Sequence, residues 1–152
     1  MTVLEQIDQM RDLVARSTVS AAEVSGWCVG QQIQHCCLAM RTIVAGVERT
    51  EGQPAKENLS VIGRVIFATG RIPRGRAQAP KSVVVDEAPS EEELIESIEK
   101  SRTAVQELDP NVKTGYFVHH IFGVLGQARV LRFLEIHNGH HLRIVRDILT
   151  AG

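Results

Sequence analysis

The chain has 152 residues, of which 43% are hydrophobic and 23% are charged, a composition typical of a single globular domain over residues 1–152. Its 17 basic and 18 acidic side chains give a formal net charge of −1, which argues against a protein that binds nucleic acid through a general phosphate field. The sequence has no uncharged apolar run long enough to cross a membrane and no signal-peptide pattern, so we expect a cytoplasmic protein without membrane contact.

Apolar residues at helical spacing predict two helices in the first third of the chain. The first runs from Val3 to Val14 and has about four turns. The second runs from Trp27 to about Val47, with Ser25 as its N-cap. It is apolar around most of its circumference, so we expect it in the middle of a bundle.

The middle of the chain predicts a third helix and then a long irregular segment. Ala55, Leu59, Ile62 and Ile66 outline the helix, which a glycine ends. The segment Arg71–Pro89 contains three prolines and a group of basic side chains. Because loops of this length are often functional, we expect it to cross a bundle face and to form part of a pocket rim.

Two further helices are predicted in the second half. Ser90 and Glu93 have the spacing of a capping box, which opens a fourth helix that ends before Pro110. Residues 111–126 are predicted as a loop, and residues 127–150 as the final helix. These elements predict an all-α fold, an up-and-down four-helix bundle with an extra short helix or a long crossover loop.

The most informative pattern is His137-Asn-Gly-His-His141 in the final helix. Residues i and i+4 lie about one turn apart on one face, so two imidazoles there can bind one metal ion from the same side. Leu134, Val145 and Ile148 share roughly that face, which predicts that the pair points into the interior. Buried imidazoles are costly unless they are hydrogen-bonded or bound to a metal.

A third histidine, His35, lies in the apolar second helix. Three protein nitrogens with an open position are typical of catalytic zinc sites, whereas structural zinc sites have four protein ligands. The pattern therefore predicts a divalent metal ion bound by His35, His137 and His141, with their ring nitrogens within about 5 Å of one another even without the metal. The alternative is three separate core histidines, each with its own hydrogen bond.

Several motifs occur in a fixed order along the chain. Trp27 precedes His35, and three segments follow: Gly70-Arg-Ile-Pro73, His119-His-Ile-Phe-Gly-Val-Leu125 and Ile136-His-Asn-Gly-His-His141. Over roughly residues 20 to 150, this order resembles the DinB-like superfamily of four-helix-bundle metalloproteins. It is most similar to an uncharacterised bacterial branch that has the Ile-His-x-x-His-His motif.

The resemblance implies that His35, His137 and His141 bind nickel, zinc or iron, with water or substrate completing the shell. Characterised members include transferases and isomerases that use low-molecular-weight thiols. The expected function is a metal-dependent thiol transferase or a hydrolase that acts on a small molecule. The alternatives are a non-catalytic metal-binding or ligand-sensing bundle, and a helical interaction protein whose histidines are merely packed.

Four further side chains are candidates for the pocket. His119 and His120 precede the final helix, and either is a candidate proton shuttle because imidazole titrates near neutral pH. The alternative for each is a loop histidine that hydrogen-bonds the backbone. Arg74 and Arg76 are candidates for binding an anionic cofactor or substrate, such as a thiol, with a solvated loop as the alternative.

The other chemically interesting residues have weaker assignments. His140 points about 100° away from its neighbour His141, so we expect it at the boundary of the core. Glu135 and Asp147 flank the histidine face, and either could orient an imidazole. The three cysteines of the second helix are interpreted as reduced core thiols rather than nucleophiles: Cys28, Cys36 and Cys37.

We also expect a homodimer. The first helix is small, so the bundle is predicted to leave one apolar helix face uncovered, and such faces often mark contacts between partners. The resemblance points the same way, since characterised relatives often dimerise.

Overall fold

The computed structural model describes residues 1–48, 56–75 and 81–152, and this part of the chain contains five α-helices and three short β-strands. The helices are α1 (Val3–Asp12), α2 (Val29–Ala45), α3 (Val61–Thr69), α4 (Glu91–Gln106) and α5 (Gln127–Ala151). The strands are β1 (Asn58–Leu59), β2 (Tyr116–His119) and β3 (Gly123–Gly126), and 3-10 turns cover Val14–Arg16 and Lys81–Val83. The fold is mostly helical, as predicted, but it is not all-α.

The helix α2 packs against both α4 and α5, and α1 packs against the same two helices. Ile33 and Met40 of α2 meet Leu94 and Ile98 of α4 and Leu134 of α5 in one core cluster, and all five side chains are fully buried. The predicted central position of the second helix is confirmed, since an almost wholly apolar helix is stable only where other helices cover it.

The N-terminus of α2 differs from the prediction. The helix begins at Val29 with Cys28 as its N-cap, and it ends two residues earlier than expected. Ser25 does not cap it: its hydroxyl oxygen accepts hydrogen bonds from the backbone N–H of Trp27 and from the side-chain amide of Gln32. A serine that is engaged in such a local turn cannot also satisfy the first turn of the helix.

The other long helices follow the sequence more closely. α4 begins at the predicted capping box, in which Ser90 and Glu93 each accept the other's backbone N–H. α5 runs as predicted to within one residue of its C-terminus. α1 is shorter than predicted, because it ends at Asp12 and a 3-10 turn continues the chain from Val14.

The predicted loop at residues 111–126 is wrong, because the chain there forms a β-hairpin. β2 and β3 pair antiparallel, with Tyr116 opposite Gly126 and His119 opposite Gly123, and β1 pairs with the free edge of β3. Strands of two to four residues are too short for an alternating pattern to separate them from a loop. The sheet lies against the N-terminal end of α5 and positions the hairpin turn beside that helix.

The third helix is also shorter than predicted. Leu59 belongs to β1, and α3 begins at Val61, where the Ser60 hydroxyl accepts the backbone N–H of Gly63. Ala55 lies outside the described residues. The helix ends as expected at Gly70, whose φ of 62° is the left-handed conformation that favours glycine at a helix C-terminus.

The described parts of the segment Arg71–Pro89 lie on the helices without forming a strand. The carbonyl oxygen of Val83 accepts a hydrogen bond from His35, and the carbonyl oxygen of Val85 accepts one from Gln31. This segment therefore runs along α2, as the expectation of a crossing chain requires. No helix of the described chain has both the length and the apolar character needed to cross a membrane.

Candidate metal centre

Three histidines from two helices converge between α2 and α5. One ring nitrogen each from His35, His137 and His141 lies within 4.8 Å of the other two. Nε2 of His35 is 3.2 Å from Nε2 of His137, and the centroid of the His35 ring is 4.5 Å from that of His141. The predicted convergence is confirmed.

Helix packing brings these side chains together. His137 and His141 lie one turn apart on the face of α5 that packs on α2, and Leu134, Val145 and Ile148 on α5 are buried. His35, across from them, is only 3% exposed. Its burial is possible because both of its ring nitrogens have polar neighbours.

Hydrogen bonds engage the Nδ1 atoms of two of the three rings, those of His35 and His141. Nδ1 of His35 donates to the carbonyl oxygen of Val83 at 2.7 Å, and Nδ1 of His141 donates to Oε1 of Gln32 at 2.7 Å. Because a neutral imidazole carries one proton, each Nε2 is left with a free lone pair. Such outer partners are what metal-binding histidines usually have.

Sequence reasoning chose the wrong partners for the rings. Glu135 pairs with Arg132, and Asp147 pairs with Arg74, so neither carboxylate orients an imidazole. Gln32 has that role, and its own amide nitrogen donates to Ser25. Its position three residues before His35, one turn away on α2, was a usable signal in the sequence.

The third ring, that of His137, has a nitrogen without a hydrogen-bond partner among the described residues. Nδ1 of His137 is buried, and no atom of the described residues hydrogen-bonds to it. Nε2 of the same ring faces His35. The donor set, three neutral nitrogens of one chemical type, suits zinc, nickel or iron(II). These residues therefore fit a divalent transition metal ion.

The electrostatics favour neutral rings. Burial, and next the charge of neighbouring His35, lower the pKa of His137 to about 3. Burial also lowers the pKa of His35, although its bond to Val83 acts the other way, and lowers that of His141. These shifts favour the uncharged form of all three rings at neutral pH, the form in which histidine binds metals.

The site opens into a cavity of about 570 Å³. The three histidines form its floor together with Trp27, whose ring lies 5.2 Å from that of His35. Most of the remaining wall is apolar and comes from α2, the hairpin and α5: Ala39, Ile43, Phe117, Ile121, Phe122 and Phe133. A volume of this size accommodates a small molecule.

The long segment after α3 forms part of the rim, as predicted. Ile72, Pro73 and Gly75 line the cavity on one side, and Ser82, Val83 and Val84 line it further along. Arg74 does not face the cavity: it is half-exposed and forms an ion pair with Asp147 at 2.6 Å. Arg76 lies outside the described residues.

The histidines of the hairpin also line the cavity. Nδ1 of His119 accepts hydrogen bonds from the backbone N–H groups of Ile121 and Phe122, which is the alternative considered for a loop histidine. His120 is exposed and stacks on the His119 ring at 4.8 Å. His140 also lines the cavity but is not part of the converging set: it is half-buried, and its ring contacts His141 edge-on.

The cysteines do not contribute to the site. Cys28, Cys36 and Cys37 are free and buried. Burial raises the pKa of the Cys36 and Cys37 thiols. Their interpretation as inert core residues therefore agrees with the structure.

Residues 2–148 match the family described as protein of unknown function (DUF1569), and the chain belongs to that family. No curated protein and no solved structure gives a match. The family description names no reaction, so the arguments for a function rest on the site itself.

Proposed function

We propose that this protein binds one divalent transition metal ion, zinc, nickel or iron, through Nε2 of His35, His137 and His141. We further propose that it is a metal-dependent enzyme of the DinB-like superfamily, with the up-and-down four-helix bundle of that group. Its reaction would be thiol transfer or hydrolysis on a small molecule held in the adjoining cavity.

One observation carries the proposal: the orientation of the three rings. The Nδ1 atoms of His35 and His141 are engaged by Val83 and Gln32, which leaves their Nε2 lone pairs free, and one ring nitrogen of each of the three histidines lies within 4.8 Å of the other two. Two nitrogens about 2.1 Å from one tetrahedral metal ion are about 3.4 Å apart. The 3.2 Å between Nε2 of His35 and Nε2 of His137 is close to that value.

The open side of the site supports catalysis over a structural role. In the described chain, the converging set has three ligands rather than the four of a structural zinc site. Beside it lies an apolar cavity of about 570 Å³. A divalent ion held there would act as a Lewis acid that lowers the pKa of a water or thiol, or that polarises a carbonyl group. The apolar wall would exclude bulk water, which strengthens such effects.

Metal analysis tests the binding step. Purified protein that is dialysed against zinc should retain one zinc ion per chain, and His35→Ala, His137→Ala and His141→Ala should each reduce this content sharply. His120→Ala is the matched control, because this exposed histidine lies at the same cavity but outside the converging set. Equal zinc content in wild type and all three variants would refute the proposal.

A cobalt-loaded sample separates an open metal site, which catalysis requires, from a closed structural site. Cobalt(II) has visible absorption that changes when a ligand enters its shell. Adding a small thiol should change that spectrum if the fourth position is open to the cavity. An unchanged spectrum would favour the alternative, a closed metal site that stabilises the bundle.

A further inference from the structure

The hairpin turn fixes the orientation of the His119 ring. Its Nδ1 accepts two backbone N–H groups, from Ile121 at 3.1 Å and from Phe122 at 3.3 Å. The ring also stacks on Phe122, with 4.3 Å between centroids, and meets the edge of Phe133 at 5.0 Å. Backbone and aromatic contacts therefore hold the ring from three sides.

This arrangement decides where the ring proton is. A nitrogen that accepts hydrogen bonds carries no proton, so in the neutral ring the proton is on Nε2. Burial, and next the charge of His120, lower the pKa of His119 to about 4, so the ring is neutral at physiological pH. His119 is therefore a poor proton acceptor near neutral pH, and a fixed hydrogen-bond donor.

The donor has no partner among the described residues. Nε2 of His119 makes no hydrogen bond to a described residue, and it is not among the polar atoms that are sealed from solvent. The side chain lines the same cavity as the three converging histidines. Phe133 lies between them, 5.0 Å from the His119 ring and 5.9 Å from the His137 ring. A short molecule that reaches the metal site would therefore pass close to this N–H group.

We propose that Nε2 of His119 donates a hydrogen bond to an oxygen of the small molecule that binds at the metal site, a carboxylate or carbonyl oxygen being the matching acceptor. This inference rests on the proposed function, and it narrows the ligand to a molecule with an oxygen acceptor a few bonds from its metal-binding atom. The surrounding wall, which includes Ile121 and Phe122, is apolar, so the N–H group would select for that oxygen.

Two substitutions separate this role from the structural role in the turn. In His119→Asn, the amide oxygen is placed like Nδ1, so it can still accept the backbone N–H groups, but the donor at Nε2 is lost. In His119→Gln, the amide nitrogen is placed like Nε2, so the donor is kept and the acceptor for the turn is lost. If the residue only stabilises the hairpin, the Gln variant should be the more affected of the two in every measurement.

The experiment uses zinc-loaded protein and two thiol probes of similar shape, 3-mercaptopropionate and 3-methyl-1-butanethiol, which has two methyl groups in place of the carboxylate oxygens. Binding is measured by isothermal titration calorimetry. A hydrogen bond to a charged acceptor is worth about tenfold or more in affinity. His119→Asn should therefore bind 3-mercaptopropionate at least about tenfold more weakly and leave the affinity for the apolar thiol within about threefold. His119→Gln should stay within about threefold of wild type for both probes.

The outcomes distinguish this inference from the proposed function. If wild-type protein binds no zinc, the proposed function fails, and this inference fails with it. If zinc binds but His119→Asn weakens both thiols equally or neither of them, only the inference is overturned. Nitrogen-15 NMR of metal-free protein gives an independent check: a proton on Nδ1 of His119 at pH 7 would refute it, and a proton on Nε2 is expected.

Discussion

Nε2 of His35 lies 3.2 Å from Nε2 of His137, although 102 positions separate the two residues in the chain. Because Nδ1 of His35 donates to Val83, its Nε2 has only a lone pair, and a hydrogen bond between the rings requires the proton on Nε2 of His137. Nδ1 of His137 would then be a buried acceptor without a described partner. With a metal ion bound at both Nε2 atoms, the two lone pairs would point at a cation, and the proton of His137 would lie on Nδ1.

The side chain that orients His141 gives the first prediction. Gln32→Leu removes the acceptor for Nδ1 of His141 and keeps a similar volume, so the ring loses its fixed tautomer. Loss of such an outer partner typically costs about tenfold to a hundredfold in metal affinity. We expect zinc affinity, measured by competition with a chromophoric chelator, to fall by that factor.

Gln34→Leu is the matched control for this prediction. Gln34 lies on the same helix but lines a different cleft, away from the three histidines. The zinc affinity of the Gln34→Leu protein should equal that of the wild-type protein. If Gln32→Leu binds zinc as tightly as the control, Gln32 does not support the metal centre.

The lowered pKa values of the ligands predict little proton release on metal binding. Three imidazoles with ordinary pKa values would together carry about two extra protons at pH 6.0, and they would release these protons when a metal ion binds. The pKa of His137 is lowered to about 3, and those of His35 and His141 are also lowered, so these rings are already largely unprotonated. Calorimetric titration with zinc in buffers of different ionisation enthalpy should give fewer than one proton per metal ion. A value near two would contradict the burial argument.

The same shifts predict how stability depends on pH in metal-free protein. Between pH 6.5 and about 3, the unfolded chain protonates its histidines, whereas His137 stays neutral in the folded state. The unfolded state then binds more protons, so stability is fully present above pH 6.5 and is lost as the pH falls through this window. In the presence of a chelator, the melting temperature should fall from pH 6.5 to pH 4.

A substitution at His137 tests whether this loss of stability at low pH comes from the metal site. His137→Leu removes one buried group that resists protonation, so its melting temperature should fall less steeply over the same range. His120→Ala, an exposed histidine of the hairpin turn, serves as the comparison and should keep the wild-type slope. Equal slopes in all three proteins would mean that His137 does not govern the acid sensitivity.

The hairpin that holds His119 depends on Gly123. This residue has a φ of 93°, and a Cβ there would overlap the carbonyl oxygen of Asn58 in β1. Gly123→Ala should therefore destabilise the protein by at least about 2 kcal/mol, which lowers the melting temperature by roughly 4–8 °C in a chain of this length. Gly26→Ala is the control, because no atom lies within 4 Å of its added Cβ. Similar melting temperatures for the two variants would refute the claim that the pairing of β3 with β1 requires glycine at position 123.

Self-association remains a prediction, and the structure suggests which apolar helix face would carry it. Val3, Ile7 and Met10 of α1 are buried within one chain, so most of the apolar face of α1 is covered. On α3, Val61 and Val65 are 78% and 55% exposed. We expect light scattering at micromolar concentration to give twice the 16.8 kDa mass of one chain, and Val61→Ser/Val65→Ser to give the single mass. A wild-type mass near 16.8 kDa would reject the dimer.

The long helices and the identity of the converging histidines follow from patterns within the amino-acid sequence. The amphipathic spacing in α5 places His137 and His141 on one buried face, because helical periodicity is a local property that depends on residues three and four apart. The apolar character of α2 likewise predicted that His35 would be interior. Only the ends of the helices shifted, where short polar side chains such as Ser25 compete for backbone groups.

The contacts that hold the histidines in place depend on how distant segments of the chain pack together. The bond from His35 to Val83 spans 48 residues, and the bond from His141 to Gln32 spans 109. Such pairs arise from the packing of one segment on another, and no local pattern encodes them. The same holds for His119: its orientation follows from strands of two to four residues, whose stability comes from pairing with one another rather than from their own sequence.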